Sequence, residues 1–273
     1  MTPEDSGRPR SELPSAISSF GEIAARLRGA TPAVFLDYDG VLTPIVAHPD
    51  LAVIPPSMRD TVTRLATRVT VAVISGRDTE DVRAKVGVAG VYYAGSHGFD
   101  IVDPGGRPVG GLDRFNRYLA PLGAAADAIE DATPQYPGTH VERKRFAVAV
   151  HFRQADPAAG PELEKLVRQV ARRTPGLTVT GGKKIFEVRP DVDWDKGRAL
   201  VWLLRELDMD RPDVIPVYLG DDVTDEDAFR AIRASGIGIV VGHDGPPSLA
   251  RYRLDDTAAV ERLLTLLHDE AAP

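Results

Sequence analysis

The run Ala33-Val34-Phe35-Leu36 is apolar at every position and stops at an acid, Asp37. Successive side chains of a strand point to opposite faces of its sheet, so a run without alternation has no face for water. It reads as a strand buried on both sides. Val69 to Ile74, Val91 to Ala94, Val214 to Leu219 and Ile237 to Val241 share that character. Helical periodicity separates them: about Ile17 to Leu27, a helix capped by Ser57 with apolar face Met58, Val62, Leu65 and Ala66, then Thr79 to Val86, Lys196 to Leu207, Asp225 to Ala234, and a closing helix to Leu267. Buried strands alternating with helices predict an α/β fold with a Rossmann-like, doubly wound parallel sheet.

The pattern breaks at Asp103-Pro104-Gly105-Gly106. Leu112 to about Asp131 is helical despite Pro121. Phe146 to Phe152 then alternates Phe146, Val148, Val150, Phe152 against Ala147, Ala149, His151, as in a sheet with one exposed face. A helix near Pro161 to Arg173 and strands near Leu177 to Thr180 and Lys184 to Val188 complete a unit of different style. The expectation is a discontinuous core, 1–108 and 190–273, interrupted by an inserted α+β domain at 109–189, with 1–19 as a flexible leader. A length of 273 residues suits one large or two modest domains.

Composition narrows the chemistry. A formal charge of -7, with acids along the whole length, gives no basic stripe to neutralise a nucleic acid backbone. The absence of cysteine excludes disulfides, thiolate metal sites and thiol nucleophiles, and a cytoplasmic location is the simplest setting. The polar, proline-rich start lacks the apolar core of a secretory signal, and no apolar run approaches membrane-spanning length.

Ligands of such sheets bind at the carboxyl ends of the strands, where Asp37, Ser75 and Asp221 leave the buried runs. Asp37 and Asp39 sit two apart, a spacing that points both carboxylates one way if the chain stays extended; Asp-Tyr-Asp-Gly is also good turn chemistry. Gly220-Asp221-Asp222-Val223-Thr224-Asp225-Glu226-Asp227 places a dense acidic group at another strand exit. Carboxylates without histidine or thiol suit a hard cation such as Mg²⁺, with Asp221 the best ligand from this segment, while Asp222, Thr224 or Asp225 can serve as a helix cap. Ser75-Gly76-Arg77 can gather a hydroxyl and backbone amides around an anion, and Lys196 can bring an ammonium to the same edge.

Asp37-Tyr38-Asp39-Gly40-Val41-Leu42, Ser75, Lys196 and Gly220-Asp221-Asp222, in this order, resemble the four motifs of haloacid dehalogenase (HAD)-type phosphatases. Leu42-Thr43-Pro44-Ile45, Ser75-Gly76-Arg77, Gly95-Ser96-His97-Gly98, Glu187-Val188-Arg189-Pro190 and Asp195-Lys196-Gly197 resemble the trehalose-6-phosphate phosphatases more narrowly. Asp100 departs from the glutamate usual in that family. The resemblance implies a HAD-like core with an inserted cap and hydrolysis through an aspartyl-phosphate on Asp37. It gives Asp39 as general acid and base, Ser75 and Lys196 as phosphoryl holders, and Mg²⁺ bound by Asp37, Asp221, Asp222 and the Asp39 backbone carbonyl. Gly76, Arg77 and His97 in the core, with Glu142, Lys144, Arg153, Lys183 and Glu187 in the cap, are the implied substrate contacts. A sugar phosphate is the implied small-molecule partner, with functional coupling to a separate trehalose-6-phosphate synthase. The competing readings are a phosphatase for a sucrose-, glucosylglycerol- or mannosyl-type phosphate, and a non-catalytic sugar-phosphate sensor.

Overall fold

The computed structural model describes residues 7–46, 48–182 and 184–271. Helix α1 (Phe20–Leu27) leads into β1 (Thr31–Leu36), followed by α2 (Pro56–Ala66), β2 (Thr70–Ile74), α3 (Thr79–Val86), β3 (Val91–Gly95) and β4 (Asp100–Val102). Next come α4 (Leu119–Ala132), β5 (His140–Lys144), β6 (Ala147–His151), α5 (Ala159–Arg173), β7 (Leu177–Gly182) and β8 (Ile185–Pro190). The chain ends with α6 (Lys196–Glu206), β9 (Val214–Gly220), α7 (Glu226–Ile232), β10 (Ile237–Val241), β11 (Tyr252–Leu254) and α8 (Thr257–Glu270). It forms two compact units, Met1–Val109 with Trp194–Pro273, and Gly110–Asp193.

The larger unit holds a seven-stranded sheet in the order β11-β10-β9-β1-β2-β3-β4, parallel except at β4. Each run that lacked alternation is an inner strand, because α2 and α8 pack together on one face and α6 and α7 pack together beside the sheet. Val34, Leu36, Val71, Val73, Val217 and Leu219 are fully buried with Met58, Val62 and Leu65 of α2 and Val260, Leu263 and Leu264 of α8. Each such side chain contributes roughly 1.5–3 kcal/mol on burial. Helix α2 begins two residues earlier than its serine signal suggests: Pro56 takes the first position, where its missing N–H costs nothing, and Ser57 instead donates to Glu261 at 3.1 Å.

The start of the chain departs from the expected loose leader. Over residues 7–19 it is packed against the core, with Leu13 and Ala16 buried and backbone bonds to Ser248 and Arg253. Isolated bridges rather than a strand ladder hold it, which is why a polar, proline-rich stretch gave no sign of order.

The smaller unit is an antiparallel sheet in the order β5-β6-β8-β7 with α4 and α5. Its middle strand β6 alternates in sequence, yet Ala147, Val148, Ala149 and Val150 are all buried. Ala149 lies in register between Glu142 on β5 and Glu187 on β8, and such long flanking side chains can cover a methyl that size. Among the described residues no helix is long and apolar enough to cross a membrane.

Candidate active site

Strands β1 and β9 are parallel neighbours, and the chain leaves them toward opposite halves of the sheet. A crevice opens at the carboxyl ends where winding reverses. Leu36 is in register with Leu219, and the Asp37 N–H donates to the Leu219 carbonyl at 2.9 Å, so Asp37 and Asp221 emerge together. The turn after Asp37 requires Gly40. Its φ is 75°, and a Cβ there would fall 2.2 Å from an Asp221 carboxylate oxygen.

Asp37 is 5% exposed, and its Oδ1 accepts from the Tyr38 N–H at 2.7 Å. Lys196 opens α6 beneath it, where Asp195 caps the helix by accepting from the Arg198 N–H. The buried Lys196 Nζ lies 3.0 Å from Asp37 Oδ2 and 2.7 Å from Asp225 Oδ1. Asp225 Oδ1 also accepts from the Tyr218 hydroxyl at 2.6 Å, and its Oδ2 accepts from the Asp221 and Asp222 N–H groups, each at 2.9 Å. Four hydrogen bonds fill the lone pairs of Asp225, which makes it the post that ties Lys196, Tyr218 and the Asp221 backbone together.

Carboxylate oxygens of Asp37, Asp221 and Asp225 lie within 4.8 Å of one another. Three carboxylates face a single ammonium, and the deficit shows in their proton affinities. Burial pushes Asp37 well above the ordinary carboxylate range, against the pull of Lys196. Burial, then Asp225, push Asp221 up to about 7. For Lys196, burial alone would lower the ammonium, but Asp225 and Asp37 outweigh it and raise it. A buried, all-oxygen, under-neutralised set fits a hard divalent cation, with Asp37 and Asp221 the carboxylates left open to bind it.

Asp222 requires a correction. Its Oδ1 accepts from the Val223 N–H at 2.6 Å and closes a capping box with Asp225, so the side chain is spent on a helix end and stands outside the acidic cluster. Asp225 is the residue that sequence reasoning treated only as a possible cap. An acid three places after a capping aspartate, at a buried strand exit, was the available signal.

Proton affinity and cation binding are coupled here. An unfolded aspartate titrates near pH 4, while Asp221 in the folded, cation-free protein does so at about 7. The folded state therefore holds that proton more tightly, and cation-free stability falls as pH rises through neutrality. A cation must displace the proton. The rise in melting temperature on adding a divalent cation is expected to be larger at about pH 8 than at about pH 6. An equal rise at both would remove Asp221 from the cation site.

The other wall comes from β2 and β3. Ser75 is buried at the end of β2, and its Oγ accepts from the Arg77 N–H at 3.2 Å. The His97 ring packs so closely on Gly76 that a Cβ there would come within 2.8 Å of it. Ser96 and His97 hold φ of 47° and 58°, left-handed values that are strained for residues other than glycine. Arg77 takes both Asp39 oxygens, Nε at 2.7 Å and Nη2 at 2.8 Å, reaches Asp81 at 3.0 Å through Nη1, and lies over the Tyr38 ring. Neither this fork nor Asp81 was evident from the sequence.

In the smaller unit, Lys144 and Glu187 pair at 3.0 Å, both largely buried, and Glu142 pairs with His151 at 2.8 Å. The hydrogen bond from His151 holds Glu142 below the usual carboxylate range despite burial. Arg153 stands off the sheet: β6 ends at His151, and Arg153 is exposed in the following turn. Lys183 lies outside the described residues.

The sequence profile of the trehalose-phosphatase family matches residues 35–258. This chain belongs to the trehalose-phosphatase family. It is 42% identical over 259 residues to the probable trehalose-phosphate phosphatase 4 of Oryza sativa, covering 93% of this chain and 71% of the rice protein. It is 42% identical over 257 residues to a trehalose-phosphate phosphatase of Mycobacterium tuberculosis, covering 93% of this chain and 65% of that protein. The solved C-terminal domain of a Candida albicans trehalose-6-phosphate phosphatase shares the fold, with a TM-score of 0.75 over 94% of this chain and 98% of that one at 23% identity. As a member of this family the protein is a phosphoric monoester hydrolase that acts on a sugar phosphate; its core shares the fold of a haloacid dehalogenase-like hydrolase of Bacteroides thetaiotaomicron, with a TM-score of 0.61 over 87% of this chain at 16% identity, and the divalent metal that such a phosphatase implies fits the buried acidic cluster.

Proposed function

We propose that this protein hydrolyses trehalose 6-phosphate to trehalose and inorganic phosphate, the last step of trehalose biosynthesis, with Asp37 as nucleophile. One observation carries the mechanism: a buried carboxylate, held between an ammonium and two further acids, at the switch point of the sheet.

An Asp37 oxygen attacks phosphorus, and the bond to the sugar oxygen breaks as an acyl phosphate forms on Asp37. The departing oxygen takes a proton from Asp39. Water then attacks the phosphoryl-Asp37, giving its proton to Asp39, and phosphate leaves. Both Asp39 oxygens accept from Arg77 in this structure, so either transfer requires one of them to turn from the guanidinium. Lys196 neutralises Asp37, and Ser75 with its neighbouring amides holds phosphoryl oxygens. Mg²⁺, held by Asp37, Asp221 and the Asp39 backbone carbonyl, would supply the charge that lets an anionic carboxylate approach a dianionic ester.

Sugar hydroxyls fall to Glu142, Lys144 and Glu187, with Arg153 and Lys183 as the further contacts that the family resemblance implies. Glu142 and Glu187 flank Ala149 in register, which leaves acceptors on either side of a small residue. Replacing Lys144 by Met or Glu187 by Gln is expected to raise KM for trehalose 6-phosphate roughly 10- to 100-fold. Turnover of a small aryl phosphate should stay unchanged; an equal loss on both substrates would place these residues in the fold rather than in recognition.

Substrate choice is tested by phosphate release from trehalose, sucrose, glucose and mannose phosphates with Mg²⁺ present. Preference for trehalose 6-phosphate is the expected result. A different winner overturns the sugar assignment, and saturable binding without release would make the protein a sensor. The protein would work in the cytoplasm on the product of a separate trehalose-6-phosphate synthase.

A further inference from the structure

Arg10 is a buried cation for which the mechanism above has no use. The segment around it is fixed on both sides. Arg8 and Ser248 exchange backbone hydrogen bonds at 2.9 and 2.8 Å, while the Ala16 N–H donates to Arg253 at 2.8 Å and the Arg253 N–H to Pro14 at 2.9 Å. Between these clasps Arg10 is 4% exposed, with its guanidinium under Gly245. Among the described residues, Nη1 reaches only the Val241 carbonyl, at 3.4 Å, and the buried Nε has no hydrogen-bond partner.

A buried guanidinium to which the described residues bring no close carboxylate is costly unless a more distant charge answers it. The strand register shows where that charge stands. Val241 ends β10, whose Val240 lies opposite Gly220 on β9, and the residue after Gly220 is Asp221. Arg10 is thus clamped one strand away from the acidic cluster.

Given the cation site read above, we infer that Arg10 is a positioning residue of the catalytic centre, lending the acidic cluster a second fixed positive charge from the N-terminal strap. Three carboxylates and one lysine hold a divalent cation readily but repel a phosphate dianion; a further positive charge shifts that balance toward the anion. The charge has opposite effects on the two ligands, and a structural role cannot imitate that.

The test uses the full chain with Arg10→Met, Arg10→Gln and Arg10→Lys, titrated calorimetrically with Mg²⁺ alone and then with inorganic phosphate at saturating Mg²⁺. The neutral variants are expected to bind Mg²⁺ about three- to tenfold more tightly and phosphate weaker by a similar factor, with both affinities restored by lysine. Parallel weakening of both ligands, or no change in either, overturns the inference. So does failure of both neutral variants to fold while the lysine variant folds, because the charge would then serve the fold alone. Neither probe is a sugar, so a wrong sugar assignment leaves the outcome intact. Asp221→Asn, measured alongside, should lose Mg²⁺ binding; if it binds normally, the cation site itself has been misplaced.

Discussion

Replacing Asp37 by Asn is expected to reduce phosphate release from trehalose 6-phosphate by roughly 10⁴-fold or more while leaving the fold in place. The amide is nearly the same shape, and its oxygen still accepts from the Tyr38 N–H that now binds Asp37 Oδ1. It cannot form the acyl phosphate. Lys196 keeps Asp225 as a partner at 2.7 Å, so the ammonium is not stranded. Burial already disfavours the charged form of Asp37, and a neutral group there relieves repulsion from Asp225 and Asp221. The cation-free variant should therefore melt no lower than the native protein. Single-turnover phosphate release and thermal unfolding, measured on one preparation, separate the two effects. Turnover within tenfold of native would reject Asp37 as nucleophile; lost activity with a collapsed melting transition would show damage to the fold instead.

The core of this site was legible because two independent signals agree in it. Apolar runs without alternation specify strands buried on both faces, and an acid directly after such a run has few places to go except the sheet edge. Asp37 and Asp221 follow from that, and the reversal of strand order between β1 and β9 brings them together. Side-chain allegiance was not legible. Asp222 and Asp225 are both acids in one acidic stretch, and only the turn geometry decides that Asp222 caps a helix while Asp225 faces inward. The fork between Arg77 and Asp39 joins residues 38 apart in sequence, and Arg77 was read only as a substrate contact. The N-terminal strap was hidden for the opposite reason: its order comes from backbone bonds to Ser248 and Arg253, which leave no periodic trace in residue types. In the smaller unit, alternation along Phe146 to Phe152 correctly marked a strand but misjudged its outer face, since Ala147 and Ala149 are buried there.

The largest effect on stability is expected from Lys196→Met. Lys196 is 2% exposed, and its ion pairs to Asp37 and Asp225 are the direct neutralisation that the described residues give those two carboxylates. Methionine matches much of its volume, so packing changes little and the loss is electrostatic. Removing one partner of a buried pair leaves an uncompensated charge, a cost of about 3–5 kcal/mol. Here it leaves two, with Asp221 close by. The sign of two dependences follows. Lowering the pH protonates carboxylates already raised by burial, so the deficit relative to native should shrink toward acid. Adding a divalent cation supplies part of the missing positive charge, so the deficit should shrink with the metal as well, although hydrolysis stays impaired because Asp37 is no longer held for attack. Urea unfolding of both proteins, with and without Mg²⁺ and at about pH 5 and 8, reads both dependences. A deficit that is the same under all four conditions would mean that Lys196 acts by packing, and the electrostatic account of the acidic cluster would fail with it.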